Sequence, residues 1–316
     1  MKLEFTKMEG LGNDYIYVDA ARFPLAAAAA AESRLGKATP WPPAASEREG
    51  PASEAQWEGR VSGASEGSRA EQASAAAALA VSLSDRHFGV GADGLVLIGR
   101  SEVADFSMRM FNADGSEGMM CGNAARCIGK YVYERGLTDK TSLTLETRAG
   151  IKRLDLHLAA DGSVESVTVD MGKARIVQQN LELEAAGQTF RGTVVDVGNP
   201  HFVIPCDDAD AVDLERFGPA IERHPLFPDR TNVEFVSGEA TGPLRMRVWE
   251  RGSGITLACG TGACATVAAM VGAGLATSPC DVQMDGGTLT VSCDADGALL
   301  MKGPARFVFD GSVDVL

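Results

Sequence analysis

The sequence predicts an α+β fold with two pseudo-symmetric halves, each a mostly antiparallel sheet curled around a central buried helix. The candidate active site lies in the cleft between them. Three observations predict this fold: short alternating strands along most of the chain, two small-residue helices that each follow a Cys-Gly pair, and a weak internal repeat.

Short runs of alternating apolar and polar residues recur along the chain, bounded by turn residues such as Asp161 and Gly162. Such runs are typical of strands that bury one face. We predict strands over 15–19, 95–98, 107–111, 141–146, 166–170, 193–197, 201–204, 232–236 and 244–249. Because few helices interrupt them, the sheets are expected to be largely antiparallel.

Two helices are predicted over residues 122–135 and 261–274. The second consists mostly of small apolar residues and has almost no polar face, which is typical of a helix inside a core. The first begins in the same way and becomes polar towards its end, at Lys130, Glu134 and Arg135.

An internal repeat relates the two halves. The Cys-Gly pair at Cys121 recurs at Cys259, an offset of 259 − 121 = 138 residues. At the same offset, Asn112 corresponds to Glu250 and Gly94 to Asn232. Nearer the front, Asn13 corresponds to Asn199, an offset of 199 − 13 = 186 residues.

The two offsets differ by 186 − 138 = 48 residues, close to the length of a low-complexity segment at about 25–69. This segment is rich in Ala, Ser, Glu, Gly and Pro and cannot bury much surface, so we interpret it as an insertion without a catalytic role. Helical character returns over 70–84. We assign 1–172, completed by a C-terminal strand at 305–316, to one half and 173–304 to the other.

Composition limits the partners. The 316 residues carry a net charge of −14 with a pI of about 4.8, which disfavours nucleic acid and anionic membranes. No apolar run is long enough to span a bilayer. Seven cysteines without a secretory signal predict reduced thiols, a cytoplasmic location and a small-molecule partner.

Each cysteine of the repeated pair, Cys121 and Cys259, stands at a predicted helix start, where free N–H groups and the helix dipole favour anions. We therefore expect a thiol pKa below the usual value of about 8.5, and a site for a substrate carboxylate. If both helix starts face one cleft, a thiolate can remove an α-proton while a thiol protonates the opposite face. That pair would invert the carbon.

Cofactors and metals are not expected. No convincing Schiff-base lysine or phosphate cup for a pyridoxal cofactor is evident. Within each helix, Cys121 and Cys127, or Cys259 and Cys264, point to different faces and cannot chelate one ion. We predict that Cys127, Cys264, Cys206, Cys280 and Cys293 are structural.

Several stretches resemble the diaminopimelate epimerase family. They are 8–14 (MEGLGND), 85–94 (DRHFGVGADG), 111–117 (FNADGSE), 120–127 (MCGNAARC), 198–201 (GNPH), 230–232 (RTN), 250–252 (ERG) and 258–263 (ACGTGA). They span nearly the whole chain except the insertion. The resemblance implies a homodimeric, cofactor-independent isomerase that converts LL-2,6-diaminopimelate to the meso form, in lysine and peptidoglycan biosynthesis.

The resemblance also implies roles for individual residues. Cys121 and Cys259 form the acid/base pair. Backbone N–H groups at Gly122, Asn123, Gly260 and Thr261 hold the reacting carboxylate. The amines and the distal carboxylate are recognised by Asn13, Asn112, Asn199, Asn232, Glu250 and Arg251. His201 either tunes a thiol or is a hydrogen-bonded strand-end residue. Gly94 departs from the glutamine that some members carry, which leaves recognition on that side open.

Two alternatives remain at this stage. A proline or hydroxyproline racemase would share the architecture, but its second cysteine usually follows Asp-Arg-Ser-Pro, whereas Cys259 follows Thr-Leu-Ala. A non-catalytic amino-acid-binding protein on the same fold would need no thiol at either helix start.

Overall fold

A computed structural model describes residues 2–22 and 66–315, with the side chains of 66–71 left aside. The first series of elements is β1 Lys2–Gly10, β2 Asn13–Asp19, α1 Glu66–Ser84, β3 Gly94–Gly99, β4 Phe106–Asn112, β5 Glu117–Gly118, α2 Gly122–Glu134, β6 Ser142–Thr147, β7 Gly150–Leu158 and β8 Val164–Lys173.

The second series is β9 Arg175–Ala185, β10 Gln188–Asp196, β11 Pro200–Pro205, α3 Leu214–Glu222, β12 Asn232–Gly238, β13 Leu244–Glu250, β14 Gly254–Ile255, α4 Gly260–Gly272, β15 Cys280–Met284, β16 Gly287–Cys293, β17 Ala298–Gly303 and β18 Arg306–Asp314. The predicted strands and both small-residue helices are present. Most of the predicted insertion lies outside the described residues, and its last four residues, 66–69, belong to α1.

The described strands form one continuous hydrogen-bonded sheet. Within it, the strands of the second series follow the same order of pairing as those of the first. From one edge the order is β18-β1-β2-β3-β4-β6-β7-β8, and β8 pairs with β17 to continue as β17-β16-β15-β13-β12-β11-β10-β9. Only β2–β3, β4–β6, β11–β12 and β13–β15 are parallel among the described strands. The prediction of a mostly antiparallel, two-half α+β fold is confirmed.

Strand register agrees with both offsets of the sequence repeat. Tyr15 pairs with Gly94 between β2 and β3, and His201 pairs with Asn232 between β11 and β12. The offsets are 201 − 15 = 186 and 232 − 94 = 138 residues. The 48 additional residues of the first half therefore lie between β2 and β3.

One buried helix packs in each series. α2 contacts β8, β1 and β7, while α4 contacts β16, β10, β11 and β12. Both belong to one continuous apolar core, and α4 is buried over most of its length because its side chains are small. α1 and α3 each cover a smaller core on another face. Among the described residues, no helix is both long and apolar enough to cross a membrane.

Candidate active site

Each of the two predicted cysteines is the N-cap of a buried helix. Cys121 precedes α2 and Cys259 precedes α4, both with extended backbone (φ −135° and −124°). The Cys121 sulfur accepts the N–H of Ala124 at 3.5 Å, and the Cys259 sulfur accepts that of Gly262 at 3.3 Å. A thiol thus takes the capping position that Ser or Asp usually fills.

The two helix starts approach each other around a single methionine of β17. A Cβ atom built on Gly122 would lie 2.5 Å from Met301 Cε, and one built on Gly260 would lie 3.1 Å from Met301 Sδ. The Gly260 position is also 3.6 Å from the Asn123 side-chain oxygen. Glycine after each cysteine therefore permits the close approach of two helix N-termini.

A cavity of about 390 Å³ opens where these helix starts meet, and both cysteines line it. Of the sequence-predicted residues, the cavity is lined by Asn13, Cys121, Gly122, Asn123, Asn199, Glu250, Arg251, Cys259, Gly260 and Thr261. A larger groove of about 710 Å³, formed mainly by β1, β2, β18 and the end of α2, contains neither cysteine. The chemistry of the side chains, not the volume, points to the smaller cavity.

Asn112 and Asn232, also predicted as binding residues, do not line this cavity. Asn112 donates to Ser116 Oγ at 2.9 Å. The Asn232 amide donates to the Pro200 carbonyl at 2.8 Å and accepts the Arg251 backbone N–H at 2.9 Å. In this arrangement Asn232 fixes the backbone of Arg251, and its own polar atoms are already used.

Neutral amides surround Cys121. Its thiol lies 3.7 Å from Asn13 Oδ1, which also accepts the Asn123 amide at 3.2 Å. The Asn13 amide in turn donates to Asp93 at 2.8 Å, which fixes its orientation. A hydrogen-bonded row of side chains therefore runs from Asp93 to the first helix start.

Acidic side chains lie close to Cys259. Thr261 Oγ1 is 3.5 Å from its sulfur, and Glu250 accepts the Thr256 hydroxyl at 2.5 Å. Burial raises the pKa of Glu250, an effect that the charge of nearby Glu234 reinforces. Two carboxyl groups therefore act on Cys259, and one of them, Glu250, also raises the pKa of Cys121.

The expectation of lowered cysteine pKa values is wrong for both thiols. Burial raises the pKa of Cys121, and the charge of Glu250 adds to the rise. The N–H groups of Ala124 and Asn123 and the charge of Arg126 oppose it only partly. Burial raises the pKa of Cys259 well above its usual range, and the charges of Glu250 and Glu234 raise it further. Desolvation outweighs the helix start because Cys259 is buried in the apolar core and the half-buried Cys121 packs against it.

His201 is fully buried beneath the cavity and does not line it. Its Nδ1 is 2.6 Å from the Glu234 carboxylate, and its Nε2 is 3.1 Å from the side-chain oxygen of Asn199. His201 thus contacts a cavity residue from behind, through Asn199.

The sequence argument missed several lining residues, among them Tyr15, Lys152 and the methionines Met110, Met119, Met120 and Met171. Tyr15 could have been found, because the 186-residue offset makes it the counterpart of His201. Lys152 could not have been found in this way. It lies on β7, outside all the stretches that resemble the family.

The absence of a side chain at Gly94 has a steric reason. A Cβ atom at this position would overlap the backbone oxygen of Phe111 on β4 and approach Tyr15 to 2.9 Å. A longer residue could not be accommodated here without a shift of β3 or β4.

The seven cysteines are unpaired. Cys127 and Cys264 are fully buried within α2 and α4, and burial raises the pKa of each to about 12. Within residues 2–22 and 66–315, no group of His, Cys, Asp or Glu side chains is arranged to hold a metal ion.

Comparison of the sequence with known proteins identifies the family of this chain. The model for the diaminopimelate epimerase family matches residues 68–177 and 193–308. A protein named diaminopimelate epimerase from Bacteroides thetaiotaomicron is 48% identical over 318 residues, covering 99% of this chain and 98% of the relative. A relative of the same name from Parabacteroides distasonis is 46% identical, with the same coverage.

Solved structures extend the likeness of fold. A PhzF-family phenazine biosynthesis protein from Bacillus anthracis superposes with a TM-score of 0.64 at 17% identity, covering 100% of both chains. A hydroxyproline epimerase from Agrobacterium vitis superposes with a TM-score of 0.61 at 16% identity, covering 99% of this chain and 92% of that one. At such identities the likeness concerns the fold alone.

Proposed function

The chain belongs to the diaminopimelate epimerase family and is an isomerase, and from this premise we propose that it interconverts LL- and meso-2,6-diaminopimelate without a cofactor. The observation that carries the proposal is the arrangement of two N-capping thiols on one cavity. Hydrolysis or transfer would require one nucleophile, whereas inversion requires an acid and a base on opposite sides of a carbon.

The reaction begins with the substrate carboxylate at the two helix starts, where we assign its binding to the N–H groups of the cavity-lining residues Gly122, Asn123, Gly260 and Thr261. One sulfur, as thiolate, takes the α-proton, and the other, as thiol, delivers a proton to the opposite face. In the reverse direction the two sulfurs exchange roles. The raised thiol pKa values make each thiolate a stronger base towards the α-proton, but they also leave a smaller fraction of thiolate at neutral pH.

Stabilisation of the carbanion is the main energetic demand, because the α-proton of an amino acid is very weakly acidic. Two convergent helix N-termini place partial positive charge beside the carboxylate on which negative charge develops. Every further tenfold in rate requires about 1.4 kcal/mol of such stabilisation.

Recognition of the remainder of the substrate uses complementary groups. Glu250 accepts hydrogen bonds from an ammonium group, Arg251 binds the distal carboxylate, and the amides of Asn13 and Asn199 contact either. The second candidate, a proline racemase, would leave Arg251 without a substrate partner, because proline has no distal carboxylate.

We further propose that the protein is a cytoplasmic homodimer acting in lysine and peptidoglycan biosynthesis, with halves at 1–172 and 173–304. The pairing of β18 with β1 supports assigning 305–316 to the first half. Sedimentation analysis would show a dimer; a monomer with full activity would contradict the dimer proposal.

The test of the activity is isotope incorporation. Protein dialysed free of small molecules is incubated with LL-diaminopimelate in D₂O, with L-proline as the competing candidate in a parallel sample. We expect deuterium at the α-carbon together with the meso isomer, and no exchange into proline. Exchange into proline alone, or neither exchange nor inversion with diaminopimelate, would reject the proposal.

A further inference from the structure

A buried pair of titratable side chains lies behind the second half of the cavity. His201 on β11 and Glu234 on β12 both have no solvent exposure, and their side chains meet at 2.6 Å. Glu234 also presses against α4, since a Cβ atom on Gly262 would lie 2.9 Å from its Oε1. Its other oxygen has no hydrogen-bond partner among the described residues.

The hydrogen-bond partners of His201 determine whether its Nε2 carries a hydrogen. One imidazole nitrogen faces a carboxylate oxygen of Glu234 and the other faces the amide oxygen of Asn199. An amide oxygen only accepts, so Nε2 must carry a hydrogen and donate it. This holds whichever partner of the short Nδ1–Oε1 contact carries the second proton.

We propose that Glu234, acting through His201, positions the Asn199 amide so that its NH₂ group faces the cavity. Because His201 donates to the amide oxygen, that oxygen points away from the cavity and the nitrogen remains to bind substrate. Asn199 lines the cavity, and its nitrogen has no hydrogen-bond partner among the described residues. The amide therefore presents a donor that fits a carboxylate, and the opposite orientation would present an acceptor that fits an ammonium group.

The inference rests on the proposed function and sharpens it. The helix starts already hold the reacting carboxylate, so Asn199 is assigned to the remote one. The corresponding positions of the first half, at an offset of 186 for His201 and 138 for Glu234, are Tyr15 and Val96, which cannot form such a pair. The device is therefore specific to the Asn199 side, and Glu234 is a positioning residue that does not touch substrate.

The direct test is nitrogen NMR of the histidine ring, which requires no activity. The chain has four histidines, so His201→Asn identifies the signals of interest. We expect Nε2 of His201 to carry a hydrogen in the wild-type protein. An Nε2 without hydrogen would overturn the proposal, because Asn199 would then have to donate to the ring.

A kinetic test separates positioning from general damage. Glu234→Leu, which removes the side-chain partner of His201 Nδ1, is expected to raise the KM for LL-diaminopimelate about 10- to 100-fold, with a smaller change in kcat. This is the size expected for loss of one hydrogen bond to a charged group. Asn199→Ala should have a similar effect, and the double variant should be no worse than Asn199→Ala alone.

Glu222→Leu provides a matched control, since Glu222 is another buried glutamate, bound to Trp249 and to the Gly252 backbone. It should leave the His201 ring signals unchanged. An unchanged KM in Glu234→Leu, or additive effects in the double variant, would reject the positioning role. Absence of activity in the wild-type protein would instead reject the proposed function, while the NMR result would still stand.

Discussion

The two halves of the molecule give Cys121 and Cys259 the same backbone setting and different electrostatic surroundings. Each sulfur caps a buried helix and accepts an N–H from the third residue after it. At the 138-residue offset, however, the buried Arg126 of α2 corresponds to the uncharged Cys264 of α4. A buried cation therefore lies behind the first cysteine, and an uncharged residue takes its place behind the second.

The contrast continues on the sheet. Glu234 and Glu250 lie near Cys259, and their counterparts, Val96 and Asn112, carry no charge. Arg126 has only neutral partners, donating to the Pro304 carbonyl at 3.0 Å, and one of its nitrogens has no hydrogen-bond partner among the described residues. The fold thus repeats the positions of two sulfurs but not their acidities, which suits a reaction that needs one base and one acid at a time.

The strongest challenge to this comparison is removal of either sulfur. Cys121→Ala and Cys259→Ala are each expected to reduce inversion by about 10²- to 10⁴-fold, because inversion needs proton transfer on both faces. Formation of meso-diaminopimelate from the LL isomer is the measurement. Cys127→Ala and Cys264→Ala, in the same two helices but away from the cavity, should retain inversion. Normal inversion in either active-site variant would contradict the two-base mechanism.

A second test uses a steric difference between the halves. Gly262 corresponds to Ala124, but a Cβ atom at Gly262 would lie 2.9 Å from Glu234 and 3.2 Å from the Cys259 sulfur. We expect Gly262→Ala to displace the sulfur and lower kcat/KM about 10- to 100-fold, since small misplacements of reacting groups have effects of this size.

The matched exchange on the other side is Ala124→Gly, which creates no clash. It should destabilise the helix by about 1 kcal/mol, measurable by denaturant unfolding, and lower kcat/KM much less than Gly262→Ala does. Equal losses in kcat/KM for the two variants would show that close packing between Glu234 and Gly262 does not determine the position of the Cys259 sulfur.

The smallest expected effect concerns thiol reactivity. Burial and the charge of Glu250 raise both thiol pKa values, but the charge of Arg126 opposes the rise at Cys121, while the charge of Glu234 adds to it at Cys259. A higher pKa leaves less thiolate at a given pH, so iodoacetamide should alkylate Cys121 at lower pH than Cys259. Peptide mass spectrometry over a pH series measures both rates.

Arg126→Met should bring the alkylation rates of the two cysteines closer together. We expect it to slow alkylation of Cys121 about threefold to tenfold, because the charge that lowers the pKa of this thiol is lost. Arg126→Lys keeps a positive charge and should preserve most of the difference. Faster alkylation of Cys259 than of Cys121 in the wild-type protein would contradict the expectation that Cys259 has the higher pKa.

The sequence predicted the parts of this structure that depend on local pattern and repetition. Recurring alternating strands, two Cys-Gly helix starts and two offsets predict the fold class, and the strand registers at Tyr15 and His201 agree with those offsets. The thiol acidities could not be inferred, because burial by distant strands outweighs the local helix dipole. Lys152 was missed because its position depends on how the sheet curves. Asn232 was expected at the cavity, but its amide holds the adjacent backbone.

Met301 has a consequence for how this architecture can be adjusted. A single thioether from β17 separates the residues that follow both cysteines, so its width acts as a spacer shared by the two halves. A bulkier or slimmer side chain at this position cannot retune one sulfur independently of the other. Any change in the distance between the two sulfurs must therefore come from the loops that lead into each helix.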